Sequence, residues 1–432
     1  MTGHPRFERS LPDLLEDLYL GPTPSYRDDL LAATRRSRQR PAWSFPERWF
    51  PVDITMRPAI AGRLPMRAIS MALLVLALFA AGLIWYIGAN VHRLPAPFGP
   101  ARNGGVVYAL DGNLYVGDPA TGASQPIVVG NGFNRNPSVS PTGTHVAFLR
   151  GKEGSTADAF DLMVASIDGS GVRKVSRVKL SDGDPATWSP DGTYLLLTNL
   201  EGDLVRFNAD GSGATFVASD MLVHEFQPPN GAQVLVEPMS GERALGLMNP
   251  DGTDLRLIYR IPAVEQQDGC DFGTVSWSPD GSKIAFLRHP KGTEYQCRVF
   301  VMNGDGTDVR QLSNEPGLVF ETDLRWSPDG TQIAFDRWRF DTGDWLIQPL
   351  GLVAVDGGPT RSIGPTPVAD GAAFEWAPDG RTIISVPGTV VGWPPSKTLR
   401  DAKPTIIDVA TGESTEATWS VSSWPTWQRL AP

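Results

Sequence analysis

Five histidines among 432 residues leave little material for a metal centre or a histidine-based triad, and His4, His92, His145, His224 and His289 stand far apart. No Gly-x-Ser-x-Gly turn occurs, so the nucleophile elbow of an α/β-hydrolase is missing. No Walker-type phosphate loop occurs either. Lys and Arg number 38 against 48 Asp and Glu, a net charge of −10, which argues against nucleic acid as a partner of the main domain. The two cysteines, Cys270 and Cys297, have only His289 near them in sequence, so a metal pair is not expected there. These absences together lead to the expectation of no metal, no cofactor and no enzymatic activity.

What is present is a phrase that returns. Trp-Ser-Pro-Asp-Gly occurs at Trp188–Gly192, Trp277–Gly281 and Trp326–Gly330, and Trp-Ala-Pro-Asp-Gly at Trp376–Gly380. Weaker copies begin at Val139 and Phe226, and a stump, Pro425-Thr426-Trp427-Gln428, stops where the turn should follow. The marks at 139, 188, 226, 277, 326, 376 and 427 lie 49, 38, 51, 49, 50 and 51 residues apart. A strand-rich period near 50 is the signature of a β-propeller.

Each full copy encodes four strands. After the Trp segment, Pro-Asp-Gly makes a tight turn: Pro presets φ, Asp bonds nearby backbone and Gly accepts positive φ. Runs such as Lys283–Arg288, Arg298–Met302 and Val309–Leu312 follow, separated by Gly and Asp, and read as hairpins. The ends predict how the ring closes. Three strands at Val106–Leu110, Leu114–Pro119 and Pro126–Val129 have no first strand, while Trp427 has no successors. One composite blade then joins six complete ones. The expected fold is therefore an all-β, seven-bladed propeller, with six blades as the alternative if a weak copy is not a blade.

The Trp-Ser-Pro-Asp-Gly and Ile-Ala-Phe repeat resembles the TolB-type, WD-repeat-like propeller family over roughly 104–432. That resemblance implies a mostly extracytoplasmic domain used to bind proteins or to assist enzymes.

Ahead of the repeats, Ala68 to Val91 form 24 positions without a charge. At 1.5 Å per residue they reach roughly 36 Å, enough to span a hydrocarbon core. The domains read as a cytoplasmic head at 1–66, a transmembrane helix at 68–91, a Pro-rich stalk at 92–103 and the propeller at 104–432. Eight arginines between Arg35 and Arg67 precede the span, against Arg93 and Arg102 just after it. This asymmetry predicts a single-pass protein in the cell membrane, with its N-terminus cytoplasmic and its propeller outside. Two short helices are expected in the head, near Leu11–Leu20 and Tyr26–Arg36. The arginines and the aromatics Trp43, Phe45, Trp49 and Phe50 suit the inner leaflet or a cytoplasmic regulatory protein.

Cys270 and Cys297 fall on the same end of one blade, two strand spacings or roughly 10 Å apart, so their loops must lean together to bond. A disulfide is expected, with two free thiols as the alternative. Long, individual loops share that end, and they carry Phe272, Tyr295, Phe320, Trp338, Phe340, Trp345 and Trp393 beside acidic residues including Glu315, Glu321, Asp341 and Asp344. Variable loops on a rigid scaffold are where recognition resides. The expectation is an aromatic, acidic docking face for a protein or envelope polymer. The alternative is a propeller hydrolase or lyase acting there on carbohydrate or peptide.

Overall fold

The computed structural model describes residues 71, 73–78, 94–152, 159–180, 186–266, 270–293, 296–367, 372–387 and 402–431. The expected head and most of the expected span lie outside these residues. Residues 71 and 73–78 are helical and exposed. Among the described residues no helix is long and apolar enough to cross a membrane, so the anchor has no support beyond the sequence.

Seven antiparallel sheets make up the rest, and each holds one copy of the repeat. Blade 1 is the composite: the C-terminal strand Thr426–Leu430 pairs with Arg102–Leu110, followed by Asn113–Gly117 and Ser124–Val128. The first strands of blades 2 to 7 are Phe133–Val139, Thr187–Trp188, Met221–Phe226, Val275–Trp277, Val319–Trp326 and Ala372–Trp376. First strands of neighbouring blades touch from blade 3 round through blades 7 and 1 to blade 2, which places them at the axis. The weak copies at Val139 and Phe226 are thus full blades. They carry Val139 and Phe226 where four of the other blades carry Trp before the turn.

Two repeated devices hold the ring. One is the turn: Ser278 Oγ donates to Asp280 Oδ1 at 2.6 Å, and Ser282 N donates to the same oxygen at 3.0 Å. Blades 3 and 6 repeat this box at Asp191 and Asp329. Gly281 completes it, since its φ is +71° and an added Cβ would sit 2.2 Å from the Pro228 carbonyl oxygen. The other device is the tryptophan. Trp188 Nε1 donates to Ser138 O at 3.0 Å, Trp326 Nε1 to Ser276 O at 3.0 Å and Trp376 Nε1 to Arg325 O at 3.2 Å. Each of these bonds ties a blade to the one before it. The apolar rings fill the space between blades: Trp326 packs with Ala285, Val299 and Phe335, and Trp277 with Leu235, Leu245 and Phe286.

The segment 94–101, expected as a stalk, is laid against the propeller instead. Phe98 packs with the Leu196 and Phe226 cluster of blades 3 and 4. Arg429 of blade 1 donates to Ala96 O at 3.1 Å and also to Gly99 O. Ala101 N donates to Pro378 O of blade 7 at 2.9 Å. Blades 4, 7 and 1 do not all adjoin, so three or four residues that reach all of them cross the turn-side end of the axial channel. A proline-rich run suits this role because its extended backbone needs no internal hydrogen bonds.

Candidate functional site

The predicted aromatic residues divide three ways. Tyr295 and Trp393 lie outside the described residues. Phe272 is 3% exposed and packs against Tyr259 and Phe286 at ring distances of 6.1 and 5.8 Å. It belongs to the core between blades 4 and 5 and takes no part in a recognition face. Phe320, Trp338, Phe340 and Trp345 do come together, through an element the sequence reading placed in a loop.

Residues 338–344 were expected as a loop but form part of a hairpin. The strand Gln332–Asp341 runs beyond its blade and pairs with an extra strand, Asp344–Ile347, giving blade 6 five strands. Thr342 and Gly343 both have positive φ, +51° and +95°, as a two-residue hairpin turn requires. The alternation Trp338, Phe340, Trp345, Ile347 drives the pairing. In register, Trp338 lies opposite Phe320 and Ile347, and Phe340 opposite Trp345. All five side chains therefore share one face. Trp345 meets Phe320 at 6.2 Å and Phe340 at 5.4 Å, edge to face in both cases. Phe340 remains 39% exposed.

The acidic half of the expected docking face is corrected. Glu321 is fully buried, accepts from Val299 N at 2.7 Å and Arg298 Nη1 at 3.3 Å, and also bonds Ser313. Burial pushes its carboxyl up to about 7, against the pull of those partners. Glu315 pairs with Arg337, which also donates to Pro349 O at 2.9 Å. Asp271 is buried and accepts from His289 N at 3.0 Å. Glu315 and Glu321 brace the base of the hairpin, and the exposed acidic groups on the hairpin itself are Asp341 and Asp344. Cys270 and Cys297 form a disulfide with Cα atoms 5.5 Å apart. Cys297 also bridges to Phe320, so the bond sits under the aromatic face. The Asp-rich loops at 249–254 and 303–308 are closed by their own Thr side chains, and among the described residues no group of His, Cys, Asp or Glu could hold a metal.

The axial channel carries a second cluster that the sequence reading missed. The residue just before the repeating aromatic is Thr426, Ser138, Thr187, Glu225, Ser276, Arg325 and Glu375 in blades 1 to 7. Glu225 accepts from Trp277 N at 2.9 Å and from Ser276 Oγ at 3.0 and 3.2 Å. Glu375 accepts one long bond, 3.4 Å, from Trp427 N. Burial raises both carboxyls, Glu375 to about 7, while the positive charge of Arg325 pulls both down. Blades 4 and 7 feel the same guanidinium from blade 6, so these three groups lie near one another. A signal was available: charge breaks a Ser/Thr pattern at this one repeat position.

No known family profile matches the chain. An uncharacterised peptidase of Bacillus subtilis, YuxL, is 34% identical over 86 residues, 20% of this chain and 12% of that protein. A prolyl endopeptidase structure superposes over 78% of this chain and 52% of its own at 15% identity, with a TM-score of 0.52. TolB from Acinetobacter baumannii superposes over 75% of this chain and 82% of its own at 15% identity, with a TM-score of 0.46. TolB-type propellers are thus among the structural neighbours. The expectation of a chain that is not an enzyme is overturned here, because the peptidase and the endopeptidase point to propeller enzymes.

Proposed function

We propose that the chain is a propeller enzyme, a hydrolase or lyase, that receives a carbohydrate or peptide chain on the loop face and does acid–base chemistry in the axial channel. The observation that carries this reading is Glu375: half-buried, held by a single long hydrogen bond, and pushed to about 7. A carboxyl titrating near neutrality gives and takes a proton with little penalty, which is what a general acid–base group requires. Phe320, Trp338, Phe340 and Trp345 supply a cluster of apolar rings for a sugar ring or an apolar peptide side chain. The peptidase likeness supports the same class of activity.

The exposure of Phe340 favours a second use of the cluster, as the docking face for a protein or envelope polymer that carries the substrate. The arginine asymmetry of the N-terminal region supports anchoring in the membrane with a cytoplasmic partner at the head. The full chain should release new reducing ends, unsaturated products or new amino termini from a panel of polysaccharides and peptides. Glu375→Gln should lower that rate by about 10²-fold or more with its melting temperature unchanged or raised. Indistinguishable product release from wild type and Glu375→Gln would remove the proposal.

A further inference from the structure

We propose that Arg325 anchors a carboxylate-binding site in the axial channel, holding the acidic group of the ligand unit that enters it. This deepens the acid–base reading above and rests on it for the identity of the site, though not for its own test.

Thr426, Ser138 and Thr187, on the consecutive blades 1, 2 and 3, give one side of the channel hydroxyl groups. The opposite side carries Glu225, Ser276, Arg325 and Glu375. Within that half the two carboxylates have partners in the next blade, at Trp277 N and Trp427 N. Arg325 does not. Among the described residues its one side-chain hydrogen bond is from Nη1 to the Leu324 carbonyl of its own strand, at 3.0 Å. Among the described residues no ion pair to Arg325 is present, and the side chain is solvent-exposed. A guanidinium carries five N–H donors in a rigid fork, so most of them are without a protein partner among the described residues.

The stability of the ring does not require a charge at this position, since blades 1, 2, 3 and 5 fill it with Thr or Ser. A planar fork with free donors matches a planar acceptor with two oxygens, which is a carboxylate. The neighbours choose between carboxylate and phosphate. Glu225 and Glu375 lie near Arg325, in blades 4 and 7, with Arg429 and His224 beside them. Because burial raises both carboxyls, one added negative charge can be met by a proton on Glu375, which then donates to it. A phosphate brings nearly two charges at neutral pH and meets two carboxyl groups. The segment 94–101 crosses the turn-side end, so the ligand enters from the loop face and stops at this level.

The sources of such a group are a sugar acid and a peptide C-terminus, and binding to the full chain tells them apart. Titration calorimetry would use D-glucuronate against D-glucose, N-acetyl-alanyl-alanine against its amide, and inorganic phosphate. One of the two carboxylates should bind at least about tenfold more tightly than its neutral counterpart. Arg325→Gln should abolish that preference and keep a cooperative melt, because the side chain is exposed and its bond is to its own strand, while Glu225 and Glu375 lose its pull and rise further. Glu375→Gln should keep binding within a few-fold while losing turnover. Equal binding of charged and neutral probes, an undiminished preference in Arg325→Gln, preference for phosphate, or no binding of any probe would each overturn the site. If the carboxylate binds and wild type turns nothing over, the enzymatic proposal falls and the site stands.

Discussion

The turn end of the ring and its channel wall use the same residue types to opposite ends. At the turns, Asp191, Asp280 and Asp329 each accept from a Ser two residues back and from the backbone two residues on. Burial pushes these carboxyls up, but the hydrogen bonds more than offset it and hold them below their ordinary range. In the channel, Glu375 is half-buried and poorly bonded, so burial wins and its carboxyl rises to about 7. Repetition satisfies its own polar groups. A break in repetition leaves groups with capacity to spare, and that is where chemistry has room.

The largest test of this contrast is closure of the ring. Deleting 423–432 removes the strand Thr426–Leu430, the buried Trp427 and the Arg429 contacts to 94–101. One large buried aromatic is worth about 2–3 kcal/mol, and an opened sheet edge adds unpaired backbone groups. Against a typical stability of about 5–15 kcal/mol, the truncated chain should lose its cooperative melt by circular dichroism. An intact melt within about two degrees would mean that the repeated blades hold without closure.

A sharper test compares two tryptophans of one repeat. Trp326 donates its indole N–H to Ser276 O, whereas the indole N–H of Trp277 is buried without a partner. The difference traces to the blade before each. Glu225 takes the backbone N–H of Trp277, and the usual indole bond across that interface is missing. Trp326→Phe should therefore destabilise by about 1–3 kcal/mol beyond the change in ring size. Trp277→Phe loses ring volume but frees an unpaired donor, so its net effect in denaturant melts should be smaller by about that amount. Equal effects would show that the indole bonds do not matter to the ring.

The smallest effect is on pH dependence, and its two parts carry opposite signs. Glu375 binds its proton more tightly folded than unfolded. Its contribution is full below the ordinary carboxyl range near 4.5 and is lost as pH rises toward about 7. The turn aspartates behave in reverse: their contribution is present above their ordinary 3.8 and lost as pH falls below it. Melting temperature should be highest in the mildly acid range, fall by a few degrees between about pH 5 and 8, and fall again in strong acid. Glu375→Gln should make the first slope shallower, leaving the share of Glu321 and Glu225, whose carboxyls burial also raises, and should leave the second slope unchanged. A wild-type melting temperature that does not fall between those pH values would show that Glu375 is not raised.

The ring was legible because it is written seven times. Spacing alone placed the blades, and unmatched strands at both ends placed the closure, including the degraded copies at Val139 and Phe226. The hairpin of blade 6 was read as a loop because Thr342-Gly343 is a sparse turn signal and the alternation around it sits past the end of a strand already assigned. Phe272 was counted as a recognition residue because an aromatic in a loop looks the same in sequence whether it points out or in. The buried pairs Arg298–Glu321 and Arg337–Glu315 were unreadable, since each joins residues more than 20 apart in the chain. Glu225, Arg325 and Glu375 were readable in principle. They stand one residue before the repeating aromatic, and such a position reads as part of the strand until the closed ring brings its seven copies round one axis.

The crossing of 94–101 over the ring has a mechanical consequence. A pull applied at residue 94 enters the domain at its hub, where Arg429 holds both this segment and the closing strand. Tension then spreads over blades 1, 4 and 7 together and loads their contacts in shear. A segment leaving from a rim would instead unzip the outermost strand one bond at a time. A pull at that point would load the ring from its centre.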